Sequence, residues 1–141
     1  MLVNIKIPWL LKCTLTIAYA YLIFAASSED TSSIAIPRYV DKLIHFVEFG
    51  FLCLMTCWAL SSARIGSKNI YKLILAIGIT SFYGMSDEFH QFFTPHRSSD
   101  VFDWLADTAG AVAAGFLWQT LVYKLQIKEN SLAMDKSTIK M

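Results

Sequence analysis

Four apolar stretches alternate with short polar connections along the chain, at residues 8–26, 41–63, 70–93 and 101–123. A helix that crosses a bilayer needs about 20 mostly apolar residues, and each stretch supplies them. The pattern therefore predicts an all-α integral membrane protein, a bundle of four transmembrane helices. The first stretch is broken only by Lys12, whose long stem can carry its ammonium to the near interface. A rival reading, a cleaved signal peptide, has Lys6 before the apolar run and Ala25-Ala26-Ser27 after it; the length of the run and its Trp9, Tyr19 and Tyr21 favour a span. Three parts follow: an N-terminal segment with the first helix (1–26), a core of three helices (39–123), and a polar tail (124–141) expected to be cytoplasmic and without regular structure.

Within the second stretch, Asp41, His45, Glu48 and Leu52 recur at helical spacing, with Asp41 placed as the N-cap. The third stretch is apolar until its last turns, where Asp87, Glu88, His90 and Gln91 appear. Pro95 then enforces a turn around Thr94 to Ser99. The fourth opens with Asp100, Asp103 and Asp107 on one face, continued nearly in line by Ala106, Gly110 and Ala114, a spacing of small residues that lets helices approach closely, within the chain or in a homo-oligomer.

Composition sharpens the class. Hydrophobic residues make up 55% and charged residues 16%, with a mean hydropathy of +0.47. That is too apolar for a soluble domain of this size. A net charge of +1, with lysines scattered rather than clustered among aromatics, argues against a nucleic-acid partner. Cys13, Cys53 and Cys57 lie inside apolar segments and read as small hydrophobes. Trp9, Trp58, Trp104 and Trp118, near segment ends, read as interfacial anchors.

Lys6, Lys12, Arg64, Lys68, Lys72, Lys124, Lys128, Lys136 and Lys140 would share one side of a four-span protein, leaving Arg38, Lys42 and Arg97 on the other. The excess of cations marks the cytoplasmic side, so both termini are expected there. Asp41, His45, Glu48, Glu88, Gln91, Arg97, Asp103 and Asp107 then converge at the extracytoplasmic edge. Ionisable groups at membrane depth face a protein interior and generally serve a function. Three uses compete. Arg97 pairs with Asp103 or Glu88, or with Lys42 meets an anionic headgroup. Glu88 and Asp107 act with His45 as general acid and base, or they form an ion-pair network that only holds helices together. A metal is the third use, with Asp87/His90 and His45/Glu48 each three residues apart; the reversed His-x-x-Glu order weighs against it, and neither metal nor cofactor is expected.

Three motifs in order, Asp41-Lys42-x-x-His45, Glu88-x-x-Gln91-x-x-x-x-x-Arg97 and Asp103-x-x-x-Asp107-x-x-Gly110, resemble those of the VanZ-like membrane proteins. The resemblance covers roughly residues 39–117; the first segment matches in position and character only. It implies a small multi-pass protein of the bacterial cytoplasmic membrane, in a family whose founding member is associated with low-level resistance to the glycopeptide teicoplanin. Two positions depart from the family pattern: Asp107 stands where Asn is common, and Glu48 where an aromatic is common.

The expectation is a VanZ-like envelope protein that binds or modifies an anionic lipid-linked or cell-envelope molecule. Asp41, Lys42, Gln91, Arg97 and Asp103 would contact it, and Glu88, Asp107 and His45 would carry any catalysis. Membrane lipids or a lipid-linked molecule are the expected partners. The alternative is a non-catalytic scaffold whose charged cluster is structural.

Overall fold

A computed structural model describes residues 7–30, 37–63 and 69–138. They form four helices and, among the described residues, no strand: α1 (Trp9–Ser27), α2 (Arg38–Ser61), α3 (Asn69–Phe93) and α4 (Val101–Thr138). The all-α reading holds. Lys6, Arg64, Lys68 and Lys140, which the count of cationic residues includes, lie outside the described residues.

Helix starts follow backbone chemistry. Pro8 and Pro37 sit at the N-caps of α1 and α2, where a missing N–H costs nothing and a fixed φ suits the first turn. Asp41 is therefore not the N-cap: α2 begins three residues earlier, and the Val40 and Asp41 amides already donate to the Pro37 carbonyl. Asp100 caps α4 instead, its Oδ1 accepting the Phe102 amide at 2.9 Å. The connection between α3 and α4 turns at Pro95 as expected, with exposed His96 in the left-handed region at φ 62°.

At its far end α4 differs from expectation. It runs unbroken to Thr138, so residues 124–138, read as an irregular tail, continue the helix. Leu125, Ile127 and Leu132 are exposed along this extension. At 1.5 Å per residue the 38-residue helix is roughly 57 Å long, well beyond a hydrocarbon thickness of about 30 Å.

Side-chain bonds give the topology. Lys12 Nζ reaches Ser62 Oγ at 2.7 Å, placing the start of α1 beside the end of α2, and Lys72 Nζ donates to the Ser61 and Ala63 carbonyls, placing the start of α3 at the same end. At the other end, Ser28, the C-cap of α1, meets His90 of α3, and the Asp100 amide before α4 donates to Glu88 of α3. The bundle is thus up-down-up-down, with α2 and α4 parallel. The end of α1, the start of α2, the end of α3 and the start of α4 gather at one pole.

Packing is closest between α2 and α4. A Cβ added at Gly50 would stand 3.3 Å from the Gly110 carbonyl oxygen, and one at Gly110 would stand 2.0 Å from the Phe46 carbonyl oxygen. The small-residue stripe is used inside the chain. Below it Cys53, Cys57, Leu73, Ala76, Ala111 and Ala114 form the apolar core, with Cys53 and Cys57 packed as small hydrophobes. Around the outside, Ile17, Tyr21, Phe82, Phe89, Phe92, Phe102 and Phe116 are exposed. A helical protein that is apolar outside and polar at one internal pole is built for a hydrocarbon solvent.

Two helices among the described residues, α1 and α2, are long and apolar enough by themselves to cross a membrane. For α3 and α4 the same residues that build the polar pole and the close packing, including Thr80, Gly84, Gly110 and the acids, dilute the apolar run.

Candidate functional site

Each helix contributes to the pole through helical spacing. Lys42 and His45 lie on successive turns of α2, Asp103 and Asp107 on successive turns of α4, and Asp87, Glu88 and Gln91 on the last turns of α3. Because α2 and α4 run parallel in contact, their first two turns face one another layer by layer. In the outer layer Lys42 Nζ bonds Asp100 Oδ2 at 2.8 Å and Asp103 Oδ1 at 2.6 Å. In the inner layer His45 and Asp107 share a hydrogen bond of 2.9 Å between Nδ1 and Oδ1. Asp107 is 0% exposed.

The third helix closes the site. Glu88 Oε2 accepts the Asp100 backbone amide at 2.8 Å, joining the end of α3 to the cap of α4. Gln91 donates to Asp87 Oδ2 at 2.9 Å. His45, Asp87, Glu88, Gln91, Asp103 and Asp107 are all buried. Asp100, outside the helices and near the surface, has its carboxyl held below the ordinary carboxylate range by the Lys42 ammonium and then by the Phe102 amide. The Asp100 end of the outer bridge therefore stays ionised at neutral pH.

Three buried carboxylate oxygens, Asp87 Oδ1, Glu88 Oε1 and Asp107 Oδ2, have no hydrogen-bond partner among the described residues. Buried polar atoms are nearly always paired, and each exception asks for an explanation such as an ion, water or ligand. The carboxylates of Asp41, Glu48, Asp87, Glu88, Asp100, Asp103 and Asp107 also outnumber the cations of Arg38, Lys42 and Arg97 at this pole. Acidic groups thus exceed basic ones at this pole, and Arg97 and Lys42 are both half-buried there.

Most of the sequence-predicted residues come together here, but not all in the expected pairs. Asp103 is held by Lys42, whereas the sequence offered Asp103 as one of two acids that Arg97 could pair with. Arg97 is half-buried at the connection between α3 and α4, close enough for its charge to act on half-buried Glu48. Asp41 is half-buried and near His45 and Asp103. The spacing pair Asp87/His90 separates: Asp87 turns to Gln91, while His90 turns to the end of α1, where it bonds Ser28 and packs at a tilt against Phe24, ring centres 4.5 Å apart.

Gly84 was missed. A Cβ there would stand 2.6 Å from Asp107 Oδ2 and 3.0 Å from Asp107 Cβ, so the bare α3 backbone is what admits the Asp107 carboxylate. The only signal in the sequence was a glycine one turn before Glu88. Gly84→Ala should cost about 1–3 kcal/mol of thermal stability in detergent, because the neighbour is a short, fixed side chain. Gly78→Ala, which meets nothing within 4 Å, is the control expected to melt with the wild type. Equal melting of the two variants would refute the cradle.

The fold and site together define a helical membrane protein with a buried polar centre at one pole. Comparison with known proteins gives the family: the VanZ/LLP1 model matches residues 7–123, and the chain belongs to that family. The match takes in α1 as well as the three motif-bearing helices. The chain is also similar to the protein "Uncharacterized protein C11E3.10" of Schizosaccharomyces pombe, 30% identical over 118 residues, or 84% of this chain and 69% of the relative. No solved structure matches. Since a relative occurs in a yeast, family membership alone does not place this chain in a bacterial membrane.

Proposed function

We propose that all four helices span the membrane and that the polar pole, at the extracytoplasmic edge, receives the head of an anionic lipid-linked or cell-envelope molecule. The observation that carries this is the set of buried carboxylate oxygens left without hydrogen-bond partners among the described residues, at a pole that also holds Arg97. A polar head with hydroxyl or amine donors satisfies the inner oxygens, while its phosphate or carboxylate meets the guanidinium fork. Lys42, at the same pole, is bonded to two acids. Orientation is supported by Lys12 and Lys72, which lie at the opposite end from the cluster, as expected for the cytoplasmic side. Chemistry on the bound molecule would use Glu88 or Asp107 as acid or base with His45. Any link to teicoplanin resistance would follow from this site being occupied.

Arg97→Gln in native membranes tests the proposal. Folded protein should accumulate as in the wild type, while mass spectrometry shows one class of co-purifying anionic lipid falling about tenfold, the loss expected when a charge-assisted contact of about 1.5 kcal/mol is removed. A second reading, a non-catalytic scaffold, is favoured by the Lys42 bridge to Asp100 and Asp103, which clamps α2 to α4 without any ligand. On that reading Arg97→Gln lowers accumulation and leaves the lipid profile unchanged.

A further inference from the structure

One imidazole and two carboxylates meet where α2, α3 and α4 converge. His45, Glu88 and Asp107 each present a donor atom, and the three donors lie within 4.8 Å of one another. Donors around a tetrahedral ion at about 2.0–2.2 Å stand roughly 3.5 Å apart, so modest side-chain rotation closes the set. The residues come from three different helices, which spacing along any one helix cannot reveal.

A separate observation points to a positive occupant. Glu88 Oε1 and Asp107 Oδ2 are buried and, among the described residues, without a hydrogen-bond partner, on residues 6% and 0% exposed. The protein cation nearest in sequence to His45, Lys42, is spent on Asp100 and Asp103, and the Gln91 amide on Asp87. Buried carboxylate oxygens given no donor are costly unless the group takes up a proton or a cation meets it.

We propose that His45, Glu88 and Asp107 bind a divalent transition-metal ion. Mixed imidazole and carboxylate donors suit zinc, manganese or ferrous iron, whereas magnesium and calcium prefer all-oxygen sets. The other nearby grouping, Asp41, His45 and Asp103, shares His45 but contains an Asp103 already bridged by Lys42 and a half-buried Asp41. An ion at the inner site would tie α2, α3 and α4 together and set a positive centre among the acids, where an anionic head could approach. Metal binding itself does not depend on that lipid reading.

The test uses the full chain purified in detergent, stripped with chelator and dialysed against Zn²⁺ or Mn²⁺, with bound metal counted by mass spectrometry. About one ion per chain should be retained. Glu88→Gln and Asp107→Asn should weaken binding by roughly 100-fold or more, since even outer-shell losses cost about 10–100-fold. Asp41→Asn should bind as the wild type does. X-ray absorption of the loaded wild type should show nitrogen and oxygen donors without sulfur, which decides the matter if either variant fails to fold. Folded wild type that retains no ion overturns the proposal, as does Glu88→Gln binding normally, or Asp41→Asn losing the ion. Anionic lipid that co-purifies with such metal-free protein would leave the lipid reading standing alone.

Discussion

Gly110→Ala should abolish accumulation of the folded monomer. The added methyl would sit 2.0 Å from the Phe46 carbonyl oxygen, 2.9 Å from its carbon and 3.0 Å from the Phe46 Cα, all backbone of α2. A flexible side chain could swing aside; a helix backbone cannot, so the whole of α2 must move away from α4. Overpacking of an ordinary core costs about 1–3 kcal/mol, and a rigid-body separation of two helices should reach or exceed the top of that range. It would also stretch the bonds that these helices make above the contact, Lys42 to Asp103 and His45 to Asp107. Size-exclusion of detergent extracts, beside the Gly78→Ala control, measures the effect directly. Accumulation and melting within about 1 kcal/mol of wild type would mean that α2 and α4 are not in this contact.

His45→Ala should be the second largest loss. It removes the one hydrogen-bond partner, among the described residues, of an Asp107 side chain with no exposure at all, leaving a carboxylate buried and uncompensated. Breaking a buried pair from one side costs about 3–5 kcal/mol. Replacing both members by apolar residues of similar size, His45→Phe with Asp107→Leu, should recover much of that loss, because no charge is then stranded. Thermal unfolding of the two single variants and the double variant gives the coupling. If the losses simply add, the pair is not an interacting unit. A recovered fold that no longer holds metal or anionic lipid would separate the structural role of the pair from its role as a site.

The two effects are linked through geometry. Close approach at Gly50 and Gly110 brings the first turns of α2 and α4 near enough for a buried imidazole to reach a carboxylate, and Gly84 leaves room for that carboxylate against α3. Three glycines thus position the acids, each by omitting a methyl group where two helices meet. The same site can stabilise the bundle and offer unsatisfied oxygens to an incoming ion or headgroup, since the paired and unpaired atoms sit on the same side chains.

Much of this was legible in the one-dimensional pattern. Apolar runs of membrane length and acids repeating every three or four residues depend only on local backbone geometry and hydropathy, and they predicted four helices with the polar residues at one pole. The ordered motifs from Asp41 to Gly110 likewise pointed to the family that the match over residues 7–123 gives. What local pattern could not decide was partnership. Whether Asp103 meets Arg97 or Lys42, whether His90 joins Asp87 or turns to α1, and whether His45 finds Glu48 or Asp107 depend on how the helices are rotated and how far they slide along one another. Those quantities are set by contacts between residues distant in sequence, such as Gly110 with Phe46. The persistence of α4 to Thr138 was also hidden, because a polar stretch without an apolar period carries no signal of burial, although its helix is continuous with one anchored in the bundle. The sequence by itself determined the helices, their polar pole and the family; the tertiary structure alone decided which acid meets which base, because only packing across three helices fixes distances on the scale of a hydrogen bond.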